Sequence, residues 1–288
     1  MQKVKEYIKW FPNPIQLLKF YNYIVTLHVI SLKYMDNYNQ DFSNYTVLDS
    51  QQTTATGAVA KKFMANVFLW MFVALGVSTF FSVLYATNPT LLQELYTQTE
   101  TGALRPSTLG WVVTFAPIGF VLLMSLGFNK LSAPALTFLF LFYAAITGIS
   151  LSFILLVYTS GSVIGCFGAA AAMFGVMAVM GYTTEKDLTS FGRILMMGFI
   201  GMFIAILINM FLRSPGMNYI ISIVGVAVFT GLTAYDTQKL KRIGMGLEYE
   251  GTSVNDTKKL AIMGALTLYL DFLNLFLMLL RLFGNRRD

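Results

Sequence analysis

From Phe63 onward the chain alternates long apolar runs with short polar joints. Seven runs stand out: Phe63–Tyr85, Leu109–Phe128, Leu136–Tyr158, Val163–Tyr182, Ile194–Leu212, Tyr219–Tyr235 and Leu260–Leu280. Each is roughly 17 to 23 residues long, the length a helix needs to cross the hydrocarbon core of a bilayer. The joints carry turn residues, as in Thr159-Ser160-Gly161-Ser162 and Arg213-Ser214-Pro215-Gly216. Short joints force sequential runs to lie antiparallel, so residues 58–288 are predicted to form one compact helical domain. The fold class is all-α, a polytopic membrane protein. Gly165, Gly168, Ala169, Ala172 and Gly175 in the fourth run, with Gly198 and Gly201 in the fifth, are expected to let helix backbones approach closely.

Residues 1–57 have a different texture and are assigned to an N-terminal arm. Residues 1–34 mix Lys, Tyr and Pro with a weak apolar patch, without the charged, apolar and small-residue order of a cleaved signal peptide. Residues 36–58 are rich in Asn, Asp, Gln, Thr and Ser, as in a disordered segment. Met35 is the expected true start, residues 1–34 being an extension. An intact mass of the native protein that includes those 34 residues would remove that reading.

Composition sharpens the membrane assignment. The 288 residues are 56% hydrophobic and 12% charged, about half the charged fraction of a soluble domain. The net charge of +6 is therefore read by its place along the chain. No basic, aromatic-interleaved segment points to nucleic acid. Lys61, Lys62, Lys130, Lys186, Arg193, Lys239, Lys241, Arg242, Lys258 and Lys259 all fall on one side of the predicted bundle, which the positive-inside rule makes cytoplasmic. The opposite joints hold Glu94, Glu100, Arg105 and Arg213. Arg281, Arg286 and Arg287 run against this bias. Either the other loops win, or the last run is re-entrant and the tail stays cytoplasmic. The lack of a cleavable signal fits a multi-pass membrane protein.

Cys166 is the only cysteine and His28 the only histidine. One chain can thus form neither an internal disulfide nor a histidine-based zinc site, catalytic triad or Cys-His pair. Walker and dinucleotide motifs are absent too, and no cofactor is expected. The available chemistry lies in carboxylates, hydroxyls, amides and a few basic residues.

Asp271 is the one charge between Leu260 and Leu280. At the middle of a membrane helix a carboxylate costs kilocalories unless it faces protein or water and has a partner. The candidate partner is Asp236, in GLTAYDTQKLK. Thr267, Asp271, Asn274 and Met278 follow 4-3-4 spacing and share one helix face. Phe229, Thr233 and Asp236 share another, with Tyr235 beside it. If these stripes face each other, the carboxyl groups approach hydrogen-bonding distance. Two carboxylates in a low dielectric do not both ionise readily, so they titrate as a coupled pair. Proton release then leaves negative charge to be balanced by a cation or by helix separation, a physical route to a pH-gated cation pathway. The bland alternative places Asp236 at the membrane edge, solvated or paired with Lys239 or Lys241, and leaves Asp271 permanently protonated.

GLTAYDTQKLK followed by ALTLYLDFLNLFLMLLRLFG, together with Gly181–Thr184 and Asp187–Gly192, resembles the Bax inhibitor-1, or transmembrane Bax inhibitor motif, family, in its bacterial branch. The resemblance covers roughly residues 57–288. It implies seven helices with a short last helix wrapped by the other six. It implies a pH-sensitive calcium leak across a membrane, with Asp236 and Asp271 as sensor and gate, supported by Thr233, Tyr235, Thr267 and Asn274. Calcium is then a transient ligand of Asp236 and Asp271 and the permeant ion. Two carboxylates with Thr, Asn and backbone oxygens could supply part of its coordination. The family pattern also includes a basic residue near the second helix that meets the pair. Leu109–Phe128 holds no Lys or Arg, and Lys130 lies at its end. A second role implied by the resemblance is regulation without transport, by restraining a membrane-anchored ATP-dependent protease. Tyr235-Asp236 is also similar to the YD element of intramembrane aspartyl proteases, but Leu268-Tyr269-Leu270-Asp271 replaces their GxGD. No enzyme is expected.

Overall fold

The computed structural model describes residues 57–98, 104–250 and 253–287. The expectations placed on residues 1–56 lie outside them. In lipid every backbone N–H and C=O must be satisfied within the protein, so each apolar run becomes a helix. The order is α1 (Ala58–Thr87), α2 (Pro89–Leu95), β1 (Tyr96–Gln98), β2 (Leu104–Pro106), α3 (Thr108–Gly127), α4 (Ala133–Val157), α5 (Ser160–Thr183), α6 (Thr189–Leu212), α7 (Pro215–Glu250) and α8 (Val254–Phe283). Among the described residues, α1 and α3 through α8 are the seven helices long and apolar enough to cross a membrane.

Side chains in the joints start these helices. Ser107 Oγ accepts from Gly110 N at 3.0 Å, Ser132 Oγ from Ala135 N at 3.4 Å, and Thr159 Oγ1 from Ser162 N at 3.4 Å. Ser253 Oγ accepts from Asp256 N at 3.1 Å and caps α8. These bonds satisfy amides that a helix leaves open at its first turn. Between α2 and α3, β1 and β2 form a small antiparallel ribbon, with Tyr96 opposite Pro106 and Gln98 opposite Leu104. Three-residue strands are too short to show a repeat of two, which is why the sequence does not reveal them.

The last helix is the axis of the bundle. Every residue from Lys259 to Leu280 is buried. Its principal neighbours are α7, α1, α5 and α4, while α3 packs on α4 and α6 on α7. It is central, as expected, but not short. It has 30 residues, as many as α1, because its polar first turn is capped by Ser253 and its last turn runs past Arg281. It also spans the bundle rather than turning back. Beyond Phe283 the tail lies against the α4–α5 joint: Thr159 N donates to Asn285 O at 2.9 Å and Arg287 N to Val157 O at 2.9 Å. That joint is at the end opposite the lysine-rich one, so Arg286 and Arg287 lie away from Lys61 and Lys130.

Two further expectations change. The sixth run continues as helix past Tyr235 to Glu250. Its basic turns are held by neighbours instead of solvent, so Lys239, Lys241 and Arg242 belong to a helix and not to a loop. The glycines of α5 and α6 singled out for close packing do not make it either. A Cβ added at Gly165, Gly168, Gly175 or Gly201 would meet nothing within 4 Å, and one at Gly198 would only touch Val228, at 3.4 Å. The buried face of α5 is instead Cys166, Ala170, Phe174, Ala178 and Gly181. That 4-4-4-3 spacing is the true packing stripe.

Candidate functional site: a carboxyl pair on the bundle axis

Helices α7 and α8 run antiparallel, and two glycines fix their register. A Cβ on Gly264 would lie 2.6 Å from Leu240, and one on Gly225 would lie 2.4 Å from Met278. Between these two close contacts sit Asp236 and Asp271. Both are buried, at 1% and 0% exposure, so the membrane-edge reading of Asp236 is overturned. The cause is the length of α7, which carries Asp236 into the bundle about 21 Å before the helix ends.

The two side chains meet. Asp271 lies within hydrogen-bonding reach of Asp236 and feels its charge directly. A hydrogen bond between two carboxyl groups requires a proton on one of them, because an ionised carboxylate only accepts. Two ionised carboxylates at this depth would each carry a desolvation cost of several kcal/mol, with mutual repulsion added.

The polar side chains around the pair are buried as the spacing predicts. Thr233, Thr267 and Asn274 are at 0%, 1% and 0% exposure, while Tyr235 is half-buried. Their donors turn to the helix backbone: Thr233 Oγ1 to Phe229 O at 2.8 Å, Thr267 Oγ1 to Met263 O at 3.2 Å, and Asn274 Nδ2 to Leu270 O at 2.8 Å. The two threonine hydroxyls thereby keep only oxygen lone pairs, while the Asn274 amide keeps one further N–H. Asn274 Oδ1 itself has no hydrogen-bond partner among the described residues. Among those residues no three His, Cys, Asp or Glu side chains converge as a metal site.

The basic residue near the second membrane helix does not reach the pair. Lys130 is exposed in the α3–α4 joint. The buried lysine nearest that joint is Lys259 of α8, whose Nζ donates to Phe128 O at 3.4 Å and lies 5.5 Å from the Phe128 ring centre.

Sequence reasoning missed two groups. One is the clasp that holds the α5–α6 connection to α7. Gln238 Oε1 accepts from Leu188 N at 2.9 Å, and its Nε2 donates to Lys186 O at 2.8 Å. Lys241 Nζ donates to Tyr182 O at 2.9 Å. Arg242 donates to Thr189 Oγ1 and Gln238 Oε1 and forms an ion pair with Asp187. That guanidinium, together with the Thr189 hydroxyl and amide, holds the Asp187 carboxyl down at about 2. Asp236 and Gln238 are two residues apart, hence on nearly opposite faces of one helix. One face serves the pair and the other the clasp. The signal in the sequence is an amide two residues after Asp236, with two cations three and four residues beyond that amide.

The other missed group lies on the far side of α8. Tyr269 is fully buried, its hydroxyl 2.7 Å from Ser78 Oγ, and Ser78 Oγ donates to Ala144 O at 2.7 Å. The Tyr269 ring meets Tyr143 and Phe140 edge to face. Two residues before Asp271, it ties the central helix to α1 and α4. A tyrosine in an apolar run gives no sign of this by its spacing.

Seven membrane helices, the last of them buried at the centre, with paired carboxyls on α7 and α8, define a class of integral membrane protein. Residues 60–288 match the family described as "Inhibitor of apoptosis-promoting Bax1", and the chain belongs to that Bax inhibitor family. Its relatives include the "Inner membrane protein YbhL" of Escherichia coli K12, 44% identical over 225 residues, covering 78% of this chain and 92% of the relative. A protein of Borreliella burgdorferi is 40% identical over 242 residues, covering 84% and 100%. One from Caulobacter vibrioides is 35% identical over 256 residues, covering 88% and 100%.

Proposed function

We propose that this protein is a pH-sensitive calcium leak channel of a bacterial inner membrane, gated by a proton shared between Asp236 and Asp271. The observation that carries the reading is the meeting of two carboxyl groups, both wholly buried, on the bundle axis. With the proton in place the site is close to half-neutralised and the helices pack. Losing it adds a second negative charge that neither lipid nor apolar core can solvate. A passing cation or separation of α7 from α8 relieves it. Thr233, Thr267, Tyr235 and Asn274 are the supporting polar face. The seven-helix fold supports the membrane, and the name of the Escherichia coli relative supports an inner one.

The test is calcium influx into liposomes that hold a calcium-sensitive dye, measured on both sides of neutral pH. Wild type is expected to leak in a pH-dependent manner. Asp236→Asn and Asp271→Asn, which keep the shape and remove the titration, are expected to flatten that dependence. Equal pH-dependent flux in all three folded proteins would sink the proposal. Absence of flux at every pH would shift the function to restraint of a membrane partner such as an anchored protease.

A further inference from the structure

On the outer surface of the bundle α1 and α5 do not close on each other. They leave a groove of about 410 Å³ whose floor is Phe272 of the central helix. The walls are apolar and of unequal texture. Met64, Phe68, Met71 and Phe72 line the α1 side, and Ala171, Gly175 and Ala178 line the α5 side. Outward-facing small residues therefore have a use here: they leave room that a larger side chain would fill.

The groove has a length and a polarity. On α1 it runs from Lys61 to Phe72, and on α5 from Tyr182 back to Ala171. Each is twelve residues, or roughly 16 Å of helix from first to last. Half the hydrocarbon thickness of a bilayer is about 15 Å. The groove thus matches one leaflet, starting at the lysine-rich end. Lys61 stands exposed at its mouth. Opposite it, Tyr182 carries Lys241 across its carbonyl and ring, with Nζ 5.2 Å from the ring centre.

We propose that this groove binds one anionic phospholipid, an acyl chain lying between α1 and α5 over Phe272 and the phosphate at Lys61. A cleft open to the bilayer at this depth is filled by lipid unless protein covers it. A cation at headgroup level, above a channel one leaflet long, selects a negatively charged lipid over a zwitterionic one. The inference rests on the chain spanning a bilayer and is independent of calcium conduction.

The experiment is native mass spectrometry of the full chain, released from detergent after incubation with phosphatidylglycerol or phosphatidylcholine. Wild type should retain one phosphatidylglycerol, at about fivefold lower concentration than phosphatidylcholine, the preference expected from one lysine at the surface. Lys61→Gln should abolish that preference. Gly175→Phe should remove retention of both lipids. Gly165→Phe, on the same helix but outside the groove, should retain lipid as wild type does. Both glycines face open space, so neither ring forces the backbone to move. Undiminished retention in Gly175→Phe overturns the site. So does a wild-type dimer without lipid, which assigns the groove to a second copy of the chain. Equal retention of the two lipids overturns the role of Lys61.

Discussion

Gly181 offers the most direct test of how tightly the pair is clamped. It lies on the buried face of α5, where that helix crosses α7 two residues before Asp236. A Cβ added there would stand 2.2 Å from Ala234 O and 2.8 Å from Ala234 C and Cα. Real Cβ atoms essentially never come within 3.0 Å of another heavy atom, so α7 must retreat by at least about 0.8 Å. The opposing atoms are backbone, and no side-chain rotation relieves the contact. Overpacking of this kind costs about 1–3 kcal/mol. At about 2–4 °C per kcal/mol for a chain of this size, Gly181→Ala should lower the unfolding temperature by roughly 2–12 °C. Gly175→Ala, six residues earlier on the same helix, is the opposite case. It meets nothing, and replacing glycine by alanine in a helix gains up to about 1 kcal/mol. Thermal unfolding in detergent, followed by tryptophan fluorescence, should therefore give shifts of opposite sign for one chemical change. Under the calcium reading, Gly181→Ala also moves the Asp236 carboxyl and displaces the pH midpoint of flux, while Gly175→Ala leaves it in place. A Gly181→Ala protein as stable as wild type, or a Gly175→Ala protein equally damaged, would refute the close approach of α5 and α7.

The remaining predictions concern the clasp, the tyrosine and the cap. Arg242 holds the Asp187 carboxyl below its usual range, so its share of stability is complete above about pH 4 and is lost only as pH falls through about 2. The ion pair of the clasp is therefore intact at every pH above about 4, and protease nicking of the α5–α6 connection should be the same at pH 5 and pH 8. Asp187→Asn should change stability by less than about 1 kcal/mol, because the Asp187 side of the ion pair is largely exposed, yet raise nicking of that connection. Gln238→Ala should raise it further, since it removes both a donor and an acceptor. Tyr269→Phe deletes the hydroxyl facing Ser78 and keeps the ring. Ser78 retains Ala144 O, so the loss should stay near about 1 kcal/mol in a denaturation assay. Ser253→Ala should cost about 1 kcal/mol through the first turn of α8.

How much of this could be read from the chain follows from what each signal measures. Apolar run length reports membrane crossing, and it located all seven helices. It does not report where a helix ends once neighbours, rather than lipid, solvate the polar residues. That is why α7 and α8 outrun their apolar windows, and why the membrane edge stood as the alternative position for Asp236. The 4-3-4 spacing around Asp271 was legible because a lone charge in an apolar run has a single tolerable direction, inward. The converse inference failed on α5, since glycine and alanine suit a close helix contact and a lipid-facing groove equally well, and only the burial of Cys166 and Ala170 distinguishes the two faces. The clasp was hidden for a related reason. Gln238, Lys241 and Arg242 look like solvated residues past the end of a span, and only the fold brings the α5–α6 connection beneath them. The consequence is mechanical. On one helix, Asp236 faces Asp271 while Gln238, two residues later, holds the α5–α6 connection. Under the calcium reading, charge appearing on the first face acts against a fixed hold on the second, so that reading places motion at the α7–α8 seam rather than at α5–α7.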